Sequence, residues 1–346
     1  MQKVKWGVIG AGGIADRRTL PGMMLSDKCE LVAVMEVNEE QSKALAQKYN
    51  AKFAYTTADE LLSNEEIEAV YIASPVKFHK DQVIAAAKAG KHVLCEKPIA
   101  VQMADSAYAQ AACEDAGVLA AAGFMMRYHS LHCKMREIVT SGKLGQVVSC
   151  RAQMNCWYPD IPGNWRQQKA QSGSGALMDL GIHCIDLLEY ILDSKTQSVM
   201  AMCDTKTFAY DIEDSANVML KLQNGAVGYV DSNFNIPDDA VSCRIEIMGT
   251  KGSLIAENTI GQVESGTLTC RFIDQGAYNA MQDRTETQVE TFLPEDGNMY
   301  TKELDSFSDS IRSNTPLTVP MSDAVHVQRV IEAAYQSSQE GKLVVL

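Results

Sequence analysis

The ten cysteines include no CxxC pair, and their scatter outlines no disulfide framework. Reduced thiols in a cytoplasmic protein are the expected state. The six histidines form no metal-ligand set. The nearest approach to one is "HSLHC", with His129, His132 and Cys133 at helical spacing, and no metal is expected from it. No apolar run approaches the ~20 residues that span a bilayer. The opening residues, "MQKVKWGVIGAGG", enter a strand without the hydrophobic region of a signal peptide. Basic stripes are missing as well: 31 Lys and Arg stand against 44 Asp and Glu, a formal net charge of -13. Such a surface repels nucleic acid and anionic membranes. That leaves small molecules and further copies of the chain as the expected partners. There is no internal repeat, low-complexity tract or flexible linker.

What is present is a chain of 346 residues, 46% hydrophobic, long enough for two domains. Up to about Gly123, apolar runs alternate with amphipathic stretches. "VKWGVIG", "CELVAVMEV", "KFAYT", "IEAVYIAS", "KHVLC" and "VLAAAGF" read as strands. Continuous apolar strands separated by helices predict a parallel sheet covered on both faces, hence an α/β, doubly wound domain over residues 1–123. Beyond it the rhythm changes. "GQVVSCRAQMNCWY" reads as a long strand, a helix follows near Met178 to Leu192, and Val199 to about Cys270 reads as an antiparallel meander. "QNGA" and "GTKG" are hairpin turn signals. Two helices, near Tyr300 to Ser313 and Ser322 to Glu340, close the chain. Residues 124–346 are thus expected to form an α+β domain with a large, mostly antiparallel open sheet. One face of that sheet would carry helices, and the other would serve self-association.

Gly10, Gly12, Gly13 and Ile14 belong to "GAGGIA", a G-x-G-x-x-A turn between the first strand and first helix. Such glycines allow a tight turn and let backbone amides approach a pyrophosphate at a helix N-terminus. Glu36 ends the second strand, where an acid can hydrogen-bond both ribose hydroxyls, and valine follows it rather than arginine. A 2′-phosphate would meet the Glu36 charge, so NAD is favoured over NADP. Arg17 and Arg18 are the residues that could reach around to a phosphate. Ser74 and Pro75 end the fourth strand at the same edge. His79 reads first as a cap of the next helix, and as a cofactor contact second.

"CEKP" leaves the fifth strand where the nicotinamide half of a dinucleotide would lie. Taking hydride from a secondary alcohol requires its proton to leave too, which calls for a base or cationic donor beside the oxygen. Lys97 is the candidate, with Glu96 beside it. Far downstream, "GALMDLGIHCIDLL" places Asp179 and His183 four apart on one helix face. Asp186 is three further on, able to orient the imidazole from behind. Histidine titrates near neutral pH and suits acid–base work.

These motifs together resemble the Gfo/Idh/MocA family of sugar and polyol oxidoreductases. The likeness is carried by "GVIGAGGIA", "AGKHVLCEKPIA", "GFMMRY" and "GALMDLGIHCIDLL", in the family's order and over essentially the whole chain. The resemblance implies an N-terminal Rossmann domain and a large-sheet second domain. It implies that Lys97 contacts the reacting hydroxyl and the nicotinamide ribose, that Glu96 helps hold the ribose side, and that Pro98 is cis. It makes His183 the main acid/base and Asp179 a substrate ligand, and puts Arg127 and Tyr128 near the active cleft. Dimers or tetramers through the open sheet face are also implied. The chain departs from the family pattern at Val76, where Asn is usual, and at His129–Ser130, where proline is usual.

The second domain would add Trp157, Tyr158, Trp165 and Arg166 from the loop "WYPDIPGNWR". Flat rings there can stack on the apolar face of a sugar, and Trp165 and Arg166 are the substrate-side candidates. The expected activity is an NAD-dependent dehydrogenase or reductase acting on a secondary hydroxyl or ketone of a cyclic sugar, inositol or glycoside. Two alternatives stand beside it. One keeps NAD bound through an oxidation–elimination–reduction cycle on a glycoside or anhydro-sugar. The other is a non-catalytic NAD-binding sensor, which the retention of Lys97 and His183 argues against.

Overall fold

A computed structural model describes residues 2–173, 175–273, 280 and 288–346. The chain divides into two compact units: Met1–Tyr128 with Gly163–Gly173 and Gly297–Arg329, and His129–Pro162 with Ser174–Asp296 and Val330–Leu346.

In the first unit, six strands run parallel. They are β1 (Val4–Ile9), β2 (Cys29–Met35), β3 (Phe53–Tyr55), β4 (Ala69–Ile72), β5 (His92–Glu96) and β6 (Ala120–Gly123). Their spatial order is β3-β2-β1-β4-β5-β6, the doubly wound arrangement in which the strand order reverses beside β1. The central strands carry no alternation because both faces are covered: Val8, Ile9, Val70, Tyr71 and Ile72 are all fully buried. One covering element comes from far along the chain. The Met299–Ser313 helix packs on this sheet, with the Phe307 ring 5.6 Å from that of Trp6 and the Trp6 indole N–H donating to Ser308 Oγ at 3.3 Å. The expected boundary at residue 123 would put that helix in the second domain, but it belongs to the first unit. Its apolar stripe, with Leu304 and Phe307, packs instead on the face of β1 around Trp6.

The second unit holds a nine-stranded sheet. Its strands are β7 (Val147–Asn155), β8 (Thr196–Asp204), β9 (Ser215–Leu222), β10 (Val227–Asn233), β11 (Arg244–Gly249), β12 (Gly252–Glu257), β13 (Thr267–Phe272), β14 (Gln288–Phe292) and β15 (Val344–Val345). Their order is β14-β13-β12-β11-β7-β10-β9-β8-β15. Both expected hairpins form, β9–β10 across "QNGA" and β11–β12 across "GTKG". The meander is interrupted, though. β7 lies between β10 and β11, parallel to the first and antiparallel to the second. β14 and β15, the two edge strands, were not anticipated; β15 is only two residues long, too short to leave a period. The Ile182–Leu192 helix is buried on nearly every residue, in keeping with its apolar sequence. Among the described residues, no helix is long and apolar enough to cross a membrane.

Candidate active site

The carboxyl edge of the first sheet gathers most of the expected cofactor residues. Gly10 has φ +74°, and its N–H and that of Ala11 both donate to Met35 O at 3.0 Å. A Cβ on Gly10 would lie 2.5 Å from Ser74 N and 2.7 Å from Ser74 Cα. The glycine turn therefore touches the turn after β4 at backbone distance, at the point where the strand order reverses. The Gly12 N–H donates to Glu36 Oε2 at 3.1 Å, and Val37 N–H donates to Glu36 Oε1 at 3.0 Å. Glu36 is thus fixed against the glycine loop by one oxygen and to its own strand end by the other. Gly13 has φ +58° and open space where a Cβ would stand, which leaves its backbone approachable. Ile14 leads into a π-helical turn, Ala15–Thr19, before the α-helix proper. Open glycine backbone, a helix start and a ribose-side acid at one edge fit a dinucleotide.

Ser74 Oγ donates to Gln82 Oε1 at 2.5 Å, and Pro75 opens the turn that follows. His79 is buried, and its side chain does not cap its helix. Its Nε2 lies 2.7 Å from Ser74 O and its Nδ1 2.9 Å from Pro98 O. Burial lowers the ring's pKa and favours the neutral form, which donates to one of the two carbonyls at a time. His79 therefore spans the β4 turn and the "CEKP" turn. The expected cap gives way to this bridge: the helix begins at His79 itself, with Phe78 at the cap position, so the ring already belongs to the first turn.

The Lys97–Pro98 peptide is cis. Lys97 N–H donates to Glu96 Oε2 at 3.3 Å. Glu96 Oε1 accepts a short hydrogen bond from the Tyr71 hydroxyl, which in turn accepts from Thr19 Oγ1 at 2.9 Å. Burial pushes the Glu96 carboxyl up, while the Tyr71 hydrogen bond and the Lys97 and Arg166 charges pull it back. The turn that carries Lys97 is thus anchored through a buried polar chain that runs under the glycine-loop helix.

Trp165 and Arg166 sit in a short 3-10 turn within the first unit, although the sequence placed them in the second domain. Lys77 Nζ donates to Gln171 Oε1 at 3.1 Å, and Gly173 packs on Val101; these contacts hold the segment there. The Arg166 guanidinium lies 4.5 Å from the Trp165 ring centre. Arg127 is buried, and its Nη1 donates to Thr318 O at 2.9 Å and to Asp323 Oδ2 at 2.7 Å. That makes it a brace for the C-terminal segment of this unit. Tyr128 is half-buried, its hydroxyl pushed up to about 12 by burial.

In the second unit, Asp179 lies in a π-helical turn, Leu177–Gly181, that runs directly into the Ile182–Leu192 helix bearing His183 and Asp186. His183 and Asp186 are buried and Asp179 partly so. A π turn at the start of a helix that carries polar groups often marks a functional site. The residue that holds this start was not foreseen. Glu213 Oε2 accepts from Gly175 N–H at 2.8 Å, and its Oε1 from Leu177 N–H at 3.0 Å and the Tyr335 hydroxyl at 2.7 Å. Its carbonyl accepts from Ala176 N–H at 3.0 Å. Three successive N–H groups of the helix start are met by one side chain and its own backbone. Glu213→Ala strips two of these and the tyrosine contact, and is expected to destabilise the protein by about 2–4 kcal/mol in denaturant unfolding, with Glu213→Gln losing roughly half as much. Nearby, Trp157 and Phe208 (5.1 Å between ring centres), Tyr210, Tyr158 and Phe234 form an aromatic cluster. Among the described residues, no three His, Cys, Asp or Glu side chains are grouped to hold a metal ion.

A parallel sheet in this order, with a glycine loop after its first strand and an acid after its second, defines a dinucleotide-binding α/β protein. The comparisons narrow this. The model of the NAD-binding Rossmann fold of the GFO_IDH_MocA oxidoreductase family matches residues 4–124, and that of the family's C-terminal alpha/beta domain matches residues 136–346. The chain belongs to the Gfo/Idh/MocA oxidoreductase family. It is 28% identical over 312 residues to the 1,5-anhydro-D-fructose reductase of Ensifer adhaerens, covering 90% of this chain and 89% of that protein. It is 29% identical over 343 residues to the D-xylose 1-dehydrogenase (NADP(+)) 2 of Haloferax volcanii, covering 99% of each. The crystal structure of an aldose-aldose oxidoreductase from Caulobacter crescentus, complexed with glycerol, superposes with TM-score 0.89 at 26% identity over the full length of both chains.

Proposed function

We propose that this protein is an NAD-dependent oxidoreductase acting on a secondary hydroxyl or ketone of a cyclic sugar, inositol or sugar glycoside. The observation that carries the reading is the His79 bridge. One buried ring joins the turn packed against the glycine loop to the turn bearing Lys97, so a cofactor seat and a proton-handling lysine share one support. When bound, NAD supplies the hydride acceptor or donor. Gly10, Gly12, Gly13 and Ile14 bind its pyrophosphate, Glu36 its adenosine ribose, and Ser74, Pro75 and Glu96 shape the seat at the nicotinamide side. Lys97 donates to the substrate oxygen and polarises it. His183 takes or returns the hydroxyl proton, and Asp179 binds a neighbouring hydroxyl. Trp165 and Arg166 contact the sugar face. Glu36, held at the loop by Gly12 N–H, opposes a 2′-phosphate by like charge. The exposed face of the second sheet completes the reading as a self-association surface: Met200, Met219 and Tyr229 are neighbours there, each more than a third exposed.

A panel of cyclic sugars, inositols and glycosides, offered with NAD or NADP and read by absorbance of the reduced cofactor, tests this. The expected result is turnover with NAD preferred about tenfold or more, and a loss of that preference in Glu36→Ala. A stronger rate with NADP would overturn the cofactor assignment. Activity without added cofactor, with NAD released on denaturation, would favour the bound-NAD cycle. No turnover on any compound, with NADH still bound, would favour a sensor.

A further inference from the structure

The first unit encloses a second carboxyl behind the Glu96–Lys97 turn, and the proposed chemistry leaves it unused. Glu303, on the Met299–Ser313 helix, is 1% exposed, and neither of its carboxyl oxygens has a hydrogen-bond partner. It lines a cavity of about 10 Å³ together with Leu94, Ala122, Tyr128, Phe307 and Thr318, room for roughly one water molecule. The charge that acts on it is that of Glu96, of the same sign. Glu96 and Glu303 also both act on Tyr71 from β4 and on Tyr300 from the same helix, and Glu303 acts on Tyr128. The nearby Arg127 directs its Nη1 to Thr318 and Asp323.

An ionised carboxylate in this place would lose most of its hydration, receive no hydrogen bond from the protein and repel Glu96. A neutral acid avoids all three, and its O–H can donate into the cavity. The two carboxyls are not equivalent in this respect. Glu96 accepts from Tyr71 and from Lys97 N–H, both of which favour its charged form. Glu303 accepts from nothing.

We propose that Glu303 is a positioning residue that remains a neutral carboxylic acid while the enzyme works, so that Glu96 carries the single negative charge of the pair beside Lys97. Burial and the Glu96 charge push the Glu303 carboxyl well above the usual range, in agreement with this division. Ionising Glu303 would set a second negative charge against Glu96 and push the two carboxyls apart. That repulsion loosens the Tyr71–Glu96–Lys97 chain that presents the lysine. The positioning role rests on the reading of Lys97 as a catalytic group; the protonation of Glu303 does not.

Infrared difference spectra of the wild type against Glu303→Gln and Glu96→Gln, at neutral pH without substrate, test the protonation. The carbonyl stretch of a protonated acid should be present in the wild type, absent in Glu303→Gln and retained in Glu96→Gln. Loss of carboxylate bands in Glu303→Gln, or loss of the acid band in Glu96→Gln alone, overturns the proposal. If Glu303→Gln fails to fold, the Glu96→Gln spectrum still decides it. Thermal melts give a second reading. A carboxyl whose folded pKa is raised contributes stability that is full below its unfolded value near 4.5 and is lost as pH rises through the folded one. The melting temperature of Glu303→Gln should therefore gain on the wild type as pH rises, and a constant difference counts against the proposal. The positioning role is read by NADH titration and by the pH profile of turnover. Glu303→Gln should match the wild type within about twofold at neutral pH and lack its alkaline loss. Superimposable alkaline limbs would remove the positioning role while leaving the infrared result standing.

Discussion

Lys97→Ala is expected to lower kcat by about 10²–10⁴-fold, the range for removal of a positioned proton-handling group, and to leave NADH binding intact. The turn explains why the two effects separate. Lys97 is held by its backbone, through N–H to Glu96 Oε2 and the Glu96 anchor on Tyr71, and by the cis peptide to Pro98, whose carbonyl faces His79. None of these involves the lysine side chain. Truncation should leave the turn, the glycine loop and Glu36 in place and remove only the ammonium group. His183→Ala should cost a similar factor, and if the two act on one proton-transfer step the double variant falls little further than either single one. Steady-state kinetics on the best compound from the substrate panel, with NADH binding followed by fluorescence, measure this. Variants that bind NADH and keep full turnover would sink the catalytic assignment of both residues.

Gly10→Ala should be the most damaging of the glycine-loop substitutions. The added methyl would stand 2.5 Å from Ser74 N, 2.7 Å from Ser74 Cα and 2.9 Å from Ala73 C, all main-chain atoms that cannot rotate away. The residue would also hold φ +74°, a left-handed conformation that alanine resists. Strain and overpacking together are worth about 2–5 kcal/mol, a fall in melting temperature of roughly 5–15 °C for a unit of this size. NADH binding should weaken with it, since the β1 and β4 turns must separate. Gly13→Ala is the control: its φ is +58°, but nothing lies within 4 Å of the new methyl, so about 1 kcal/mol of backbone strain is all that is expected. Equal melting temperatures for the two variants would refute the close-packing account of the loop.

The sheet order of the first unit and its glycine turn were legible because parallel strands buried on both faces leave continuous apolar runs, and because φ above zero selects glycine. Glu36 was legible for the same reason: a carboxylate at the end of a buried strand stands out. Other parts of the site had no sequence signal. Glu213 meets Gly175 and Leu177 across 38 and 36 residues, and nothing local distinguishes it from a solvated acid. Glu303 falls in a helix with ordinary polar neighbours, and only the placement of that helix against the first sheet buries it. The two π turns, at Ala15–Thr19 and Leu177–Gly181, differ from α-helix by one hydrogen-bond register, which residue periodicity does not resolve. Trp165 and Arg166 stand out in the sequence as a ring and a cation side by side on one loop, but the sequence does not show that the loop belongs to the first unit. Contacts with Lys77 and Val101, distant in the chain, settle where that loop packs.

The helix that covers Trp6 has a consequence for biosynthesis. Phe307 and Ser308, which close the face of β1, are translated some 180 residues after β6. At about 5–20 residues per second, the first sheet emerges from the ribosome roughly ten to forty seconds before its last covering element exists. During that interval the indole of Trp6 and the apolar wall around it face solvent or a chaperone. A nascent chain stalled after residue 124 carries every glycine of the cofactor loop and still lacks a closed core. The core of the first unit therefore closes late, when the far end of the polypeptide returns to the beginning.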